Sequence, residues 1–254
     1  IAEKFGTCDI LLNGAGGRMG REVEEILLNG EGDAILAAAV DKNVASVPYK
    51  KLSDYTGEAD VIIDFSHHSA TNEIISYAVA RRLPVVIAPT GHTDEEKALI
   101  AEAAKSIPVF FTANLSLGVA VLVNLAKKAA ALFPDADIEI VEAHHNRKAD
   151  APSGTAKMLA EALCEVRPEA ELVYGRNGMH KREKNEIGIH ALRLGNNPGM
   201  HQVIIATDSQ TLTLQHQAES RSVFADGAIV AAKYLIDRQP GLYNMETMLS
   251  DVLK

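Results

Sequence analysis

Cysteine, long apolar runs and excess positive charge are all scarce in this chain of 254 residues. The two cysteines, Cys8 and Cys164, lie far apart and share no metal-binding or redox spacing. The expectation is two buried thiols in a reducing compartment, and hence a cytoplasmic protein. No apolar run approaches the ~20 residues that span a bilayer. Lys and Arg number 25 against 34 Asp and Glu, a net charge of −9, which argues against a general nucleic-acid or anionic-membrane surface. No internal repeat or low-complexity segment is present.

What remains is ordinary globular composition, 47% hydrophobic and 23% charged, with length for one large or two modest domains. The apolar run from Cys8 to Leu12 leads into Asn13-Gly14-Ala15-Gly16-Gly17-Arg18-Met19-Gly20, and a helical pattern follows through Val23, Ile26 and Leu27. Strand, glycine turn and helix form the context of a dinucleotide-binding site. The glycines let backbone approach a pyrophosphate, which the helix N-terminus holds. The spacing is Gly-x-x-Gly-x-x-Gly, and Met19 stands where the third glycine of the commoner pattern falls. A second apolar run, Ala34 to Val40, ends at Asp41-Lys42, about 20 residues on, where a ribose-binding acid belongs. Asp41 suits the ribose hydroxyls of NADH and Lys42 a 2′-phosphate, so both NADH and NADPH are expected to serve. Any anion must be met by local positive charge, which Arg18, Arg21 and the loop around Lys148 offer.

Strands are expected at Val61–Phe65, Val85–Ala88 and Val109–Phe111, with helices at Ala70–Arg81 and Asp94–Lys105. This alternation indicates a doubly wound parallel sheet of Rossmann type. Ligands of such sheets lie at the strands' carboxyl ends, which singles out Ser66, Ala88-Pro89-Thr90-Gly91 and Thr112-Ala113-Asn114-Leu115. His67 and His68, just past a strand end, read as surface or capping residues. A long helix, Ser116 to Leu132, connects to a second region. There Asp137–Ala143 alternates, with Ile138, Ile140 and Val141 set against Asp137, Glu139 and Glu142. Strands at 187–194, 199–206 and 211–216 complete a smaller α+β domain with an open, mostly antiparallel four-stranded sheet. The polar stretch from about 168 to 186 reads as a mobile loop, since its charges are mixed and aromatics are absent from its Gly175–Asn185 core. A last helix is expected over Ala225–Ile236.

The densest chemistry is Glu142-Ala-His144-His145-Asn-Arg-Lys148-Ala-Asp-Ala-Pro152-Ser153-Gly154-Thr155-Ala156. The two histidines exchange protons near neutral pH, Lys148 is a compact cation, and Pro152-Ser153-Gly154-Thr155 is a helix entry whose unpaired N–H groups suit a carboxylate. Glu142, His144 and His145 are too close in sequence to share one zinc ion easily, so no metal is expected.

This stretch resembles the motif of the dihydrodipicolinate reductases of bacterial lysine and diaminopimelate synthesis. The likeness extends in order through the glycine turn, Asp64-Phe-Ser66, Asn114-x-Ser-x-Gly-Val119, Arg221 and the closing helix. It implies NADH- or NADPH-dependent reduction of 4-hydroxy-tetrahydrodipicolinate, a small dicarboxylate, to tetrahydrodipicolinate. The cofactor is expected on Gly14 to Met19, Asp41, Lys42, Ala88 to Thr90, Thr112 to Leu115, and Arg221. His144 and Lys148 are the catalytic pair, either of them able to deliver the proton. His145, Ser153, Gly154 and Thr155 are expected to bind carboxylates. The resemblance also implies a homotetramer, a cofactor domain of residues 1–115 and 221–254, and a substrate domain of 116–220. Three positions depart from the family pattern. Gly-Thr-Thr-Gly appears as Ala88-Pro89-Thr90-Gly91, an aromatic as Leu115, and the acid of Gly-Glu-His as Met200, so no role is assigned to that last turn. Two alternatives share the first half of the chain: another nicotinamide oxidoreductase, and a non-catalytic NADPH sensor. A semialdehyde dehydrogenase needs a thiol nucleophile, and neither cysteine is placed for one.

Overall fold

The structure is a computed structural model that describes residues 7–30 and 34–252. Its backbone forms two compact units: one runs to Leu117 and resumes at Arg221, and the other is Gly118–Ser220.

The first unit is built on β1 (Cys8–Asn13), α1 (Arg18–Asn29), β2 (Ala34–Val40), β3 (Val61–Asp64), α2 (Thr71–Arg81), β4 (Val85–Ile87), α3 (Asp94–Ala103) and β5 (Pro108–Phe111). Its strands are short apolar runs with no polar alternation, because both faces of the sheet are covered. Leu11, Ile62, Val85 and Val109 pack with Ile74, Ile75 and Ala78 of α2 and Ile100 and Ala103 of α3. Ile10, Leu12, Ile63 and Phe110, which alternate with these, are equally buried. The acids Asp94, Glu95 and Glu96 open α3 within a capping box, Thr93 Oγ1 accepting from the Glu96 N–H and the Glu96 carboxylate from the Thr93 N–H, as sign and geometry at a helix N-terminus require.

All pairings in this sheet are parallel. The order is β2-β1-β3-β4-β5 followed by a sixth strand, Gly241–Tyr243, at the far edge. Sequence pattern alone does not reveal that strand, since three residues are too few to show a period. The chain direction across the sheet reverses between β1 and β3, and such a switch point opens a crevice at the strands' carboxyl ends.

The second unit contains most of α4 (Leu117–Leu132), then β6 (Asp137–His144), α5 (Gly154–Val166), β7 (Glu171–Tyr174), β8 (Glu186–Arg193), β9 (Met200–Ala206) and β10 (Thr211–Gln217). Two further elements, α6 (Ser222–Leu235) and α7 (Met245–Val252), belong to the first unit, and Gly241–Tyr243 between them is β11. The second sheet corrects the expectation of four mostly antiparallel strands. It has five, in the order β10-β9-β6-β8-β7. β10 and β9, and β9 and β6, are antiparallel, whereas β6 and β8, and β8 and β7, are parallel. The extra strand, β7, lies within the stretch read as a mobile loop. Leu172 and Val173 follow α5 closely enough to complete a crossover, and β8 then inserts between β6 and β7. The rest of that stretch is fastened by charge: Arg182 reaches Asp137 at 2.8 Å and Glu139 at 2.7 Å, and Arg176 pairs with Glu186.

One face of this sheet carries Ile138, Ile140, Ile187, Ile189, Val203 and Ile205 against Leu122 and Ala126 of α4 and Leu159 and Leu163 of α5. The opposite face presents Glu139, Val141, His190, Gln202 and Ile204, all half-buried. No helix among the described residues is long and apolar enough to cross a membrane.

Candidate active site

In the first unit the glycine turn leaves β1 at Gly14, whose φ is +76°. A Cβ there would fall 2.6 Å from the Phe65 carbonyl carbon, so only glycine allows the turn to lie on the end of β3. Gly20 serves helix–turn packing, since a Cβ on it would come within 2.2 Å of the Gly14 carbonyl oxygen. The Gly14 and Ala15 N–H groups donate to the Val40 carbonyl, and the Gly16 N–H donates to Asp41 Oδ2 at 3.0 Å. Gly17 caps α1 without a side-chain hydrogen bond, so the first-turn N–H groups of that helix are left to solvent or to an anion. Arg18 and Lys42 are exposed beside it.

Asp64 lies under this turn at 1% exposure. Its Oδ1 accepts from Asn13 Nδ2 (2.8 Å) and the Ser66 N–H (3.0 Å). Burial pushes its carboxyl up to about 6, against the pull of those hydrogen bonds. It ties the carboxyl end of β1 to that of β3, a role not assigned from sequence.

At the end of β4, Ala88 and Pro89 are half-buried and Thr90 is exposed. Past β5, Thr112 Oγ1 and Asn114 Oδ1 hold the turn, the latter accepting from the Ser116 N–H at 2.8 Å. Ala113 is exposed, but Leu115 is 4% exposed, so its side chain belongs to the core. His67 caps its turn by accepting from the Ser69 N–H, as the capping expectation has it. His68 pairs with Glu96 at 2.9 Å. Arg221 is exposed at the start of α6. Burial raises both thiols, Cys8 to about 11, although Cys164 is only half-buried; neither is an activated nucleophile.

In the second unit the predicted loop leaves the end of β6. His144 is paired in register with Arg193 of β8. Backbone bonds from the His145 N–H to the Asn197 carbonyl and from the Leu194 N–H to the His144 carbonyl fasten the loop to the turn before β9. Lys148 is ion-paired with Asp150 at 2.8 Å. Ser153 caps α5, its Oγ accepting from the Ala156 N–H at 3.2 Å. Gly154 opens the helix with nothing within 4 Å of where a Cβ would be, which leaves room for a ligand at the positive end of the dipole. His144, His145, Lys148 and Ser153 to Thr155 therefore share one strand–loop–helix junction.

That junction has a core the sequence reading placed wrongly. Glu142 was expected on the solvent side of its strand, but it is fully buried, at 0%. Counting by twos from Ile138 and Ile140 puts Glu142 and His144 on the same inward face, a signal present in the sequence but obscured by the charge. Glu142 Oε2 lies 2.6 Å from His144 Nδ1. The Glu142 carboxylate also accepts from both Arg193 Nη atoms at 2.9 Å and from the Ser153 N–H at 3.0 Å. These donors hold it below the usual carboxylate range despite burial, which alone acts the other way. His201, in the turn left without a role, has its Nε2 3.1 Å from Ser153 Oγ and its ring edge-on to His144 at 5.1 Å. Burial, and then the neighbouring His144, lower it to about 4, so it is neutral near pH 7. Among the described residues, no group of three or more His, Cys, Asp or Glu side chains is placed to hold a metal ion.

Comparison with known proteins covers both units. The family model described as dihydrodipicolinate reductase, N-terminus, matches residues 8–115, and its C-terminus counterpart matches 118–249. The 4-hydroxy-tetrahydrodipicolinate reductase of Caldanaerobacter subterraneus subsp. tengcongensis is 47% identical over 246 residues, covering 94% of this chain and 97% of that one. The enzyme of the same name from Clostridium tetani is 42% identical, covering 95% and 96%. Among solved structures, a dipicolinate-bound dihydrodipicolinate reductase from Paenisporosarcina sp. TG-14 superposes with a TM-score of 0.79 at 25% identity, covering 94% and 97%.

Proposed function

The chain belongs to the dihydrodipicolinate reductase family, and from that premise we propose that it reduces 4-hydroxy-tetrahydrodipicolinate to tetrahydrodipicolinate with NADH or NADPH through the residues described above. The observation that carries the assignment of residues is the junction at the end of β6, where proton donor, cation and helix N-terminus lie within one short segment of the second unit. The dinucleotide fits the first unit: Gly14 permits close backbone approach, α1 presents an uncapped N-terminus, and Asp41 lies beside the turn. When bound there, NADH or NADPH supplies the hydride.

Gly14 to Met19 would hold the pyrophosphate, Asp41 and Lys42 the adenosine ribose, and Ala88 to Thr90 with Thr112 to Asn114 the nicotinamide end. Leu115, buried as it is, would contribute through its backbone, and Arg221 would add charge. On the substrate side, His145 and the N–H groups of Gly154 and Thr155 would bind carboxylates, the Ser153 N–H being taken by Glu142. Loss of the 4-hydroxyl as water makes the ring a conjugated imine, and hydride addition to that imine leaves electron density that must be protonated, so an acid has to stand beside the ring. His144, held by Glu142, presents Nε2 for that transfer. Lys148 adds positive charge that makes the ring a better hydride acceptor. The same proposal includes a cytoplasmic location and a homotetramer packed on the open face of the second sheet, where Val141 and Ile204 lie among Glu139, His190 and Gln202.

The test supplies the condensation product of aspartate semialdehyde and pyruvate and follows nicotinamide absorbance. His144→Gln and Lys148→Ala should each lose about 10²- to 10⁴-fold in turnover while dinucleotide affinity stays near native. Unchanged rates in both variants would defeat the residue assignment. Light scattering of the purified chain checks the tetramer.

A further inference from the structure

A carboxylate with no exposure to solvent is costly unless each of its lone pairs is met. Glu142 satisfies that condition with four donors, two on each oxygen. Oε1 accepts from Arg193 Nη2 (2.9 Å) and the Ser153 N–H (3.0 Å), and Oε2 from Arg193 Nη1 (2.9 Å) and His144 Nδ1 (2.6 Å). The donors come from a neighbouring strand, from the cap of α5 and from the end of Glu142's own strand. Arg193 is in turn anchored on the Asp150 and Leu192 carbonyls at 2.6 Å. The carboxylate therefore cannot rotate without breaking contacts to three elements.

We propose that Glu142 is a positioning residue for the reduction: clamped by Arg193 and the α5 cap, it fixes the His144 imidazole as the Nδ1–H tautomer, so that Nε2 alone exchanges protons with the substrate. The inference rests on the reductase reading given above. A carboxylate paired with arginine is acceptor-only, so the facing Nδ1 must carry the hydrogen. Nε2 then points toward Gly199, where a Cβ would come within 3.1 Å of it. The missing side chain at 199 thus leaves room at the working nitrogen of a residue that is only 8% exposed. In the transfer the Nε2–H bond of the doubly protonated ring breaks and a bond forms from that proton to the substrate atom made electron-rich by hydride addition. Bound NADH or NADPH would supply the electron pair of the hydride and be left oxidised. The imidazole returns to its neutral Nδ1–H form, and solvent restores the second proton.

Glutamine at 142 has one acceptor oxygen for four donors, so whichever way it turns, two donors meet an NH₂ group. In the intact chain, Glu142→Gln should lower kcat by more than about tenfold, since the imidazole loses its fixed tautomer, with the KM for NADH or NADPH within about twofold of native. The double variant Glu142→Gln/His144→Gln should be no slower than His144→Gln alone, because Glu142 acts only through that ring. Losses that multiply would overturn the proposal. ¹⁵N NMR of the imidazoles in the native protein decides it independently of any variant's folding: the neutral His144 ring must show Nδ1 protonated, and an Nε2–H tautomer sinks the idea. Absence of turnover by the native protein would instead defeat the reductase reading, and the tautomer measurement would stand without it.

Discussion

Replacing His201 with Asn should flatten the acid limb of the second unit's stability. His201 is 4% exposed, and burial beside His144 lowers it from 6.5 to about 4. A histidine depressed in the folded state binds its proton more readily when unfolded, so folding stability is intact above pH 6.5 and falls as the pH drops toward 4. At about 1.4 kcal/mol per pH unit, the native protein loses about 2 kcal/mol through this one group between pH 7 and pH 5, and about 3 kcal/mol once the pH is below 4. Asparagine does not titrate. Urea unfolding of native and His201→Asn chains at pH 7 and pH 5, read at the transition where the two differ, should show the gap between them change by about 2 kcal/mol in the variant's favour as the pH falls. Other carboxylates and histidines cancel in that comparison. A gap that stays constant to within about 0.5 kcal/mol would refute the claim that His201 is held neutral by burial.

Asp64 has the opposite sign. Its carboxyl is raised from 3.8 to about 6, so its contribution is present below 3.8 and lost as the pH rises through 6. Asp64→Asn should gain about 2 kcal/mol on native between pH 4 and pH 7, measured by denaturant unfolding. Gly14→Ala imposes a left-handed backbone on alanine, worth about 1–2 kcal/mol, and drives its Cβ into the Phe65 backbone. NADH titration by fluorescence should show more than about tenfold weaker binding, a drop of about 1.4 kcal/mol. Ser153→Ala removes the α5 cap and leaves His201 Nε2 without its partner. Thermal or urea unfolding should register a loss of about 2–3 kcal/mol.

Much of this protein is legible in one dimension because the signals are local. The strand–helix alternation of the first unit, the glycine turn into α1 and the Ser153-Gly154 helix entry each depend on neighbours a few residues away. Continuous apolar strands announce a sheet covered on both sides. The histidine loop stands out by composition alone, and the family match extends from it across both units.

Tertiary structure decided what depends on partners distant in the chain. β7 and β11 are four and three residues long, too short to show a period, and exist as strands because β8 and β5 offer them open edges. The insertion of β8 beside β6, which makes half of the second sheet parallel, is a choice of neighbours that no alternation pattern encodes. Glu142 is the sharpest case. Its inward parity could be counted, but a carboxylate is tolerated there only because Arg193, 51 residues away, and Ser153 close around it. Asp64 depends in the same way on Asn13. Charge composition fixes how many ions a chain carries; which of them leave water is settled only when the fold brings their counter-groups within hydrogen-bonding reach.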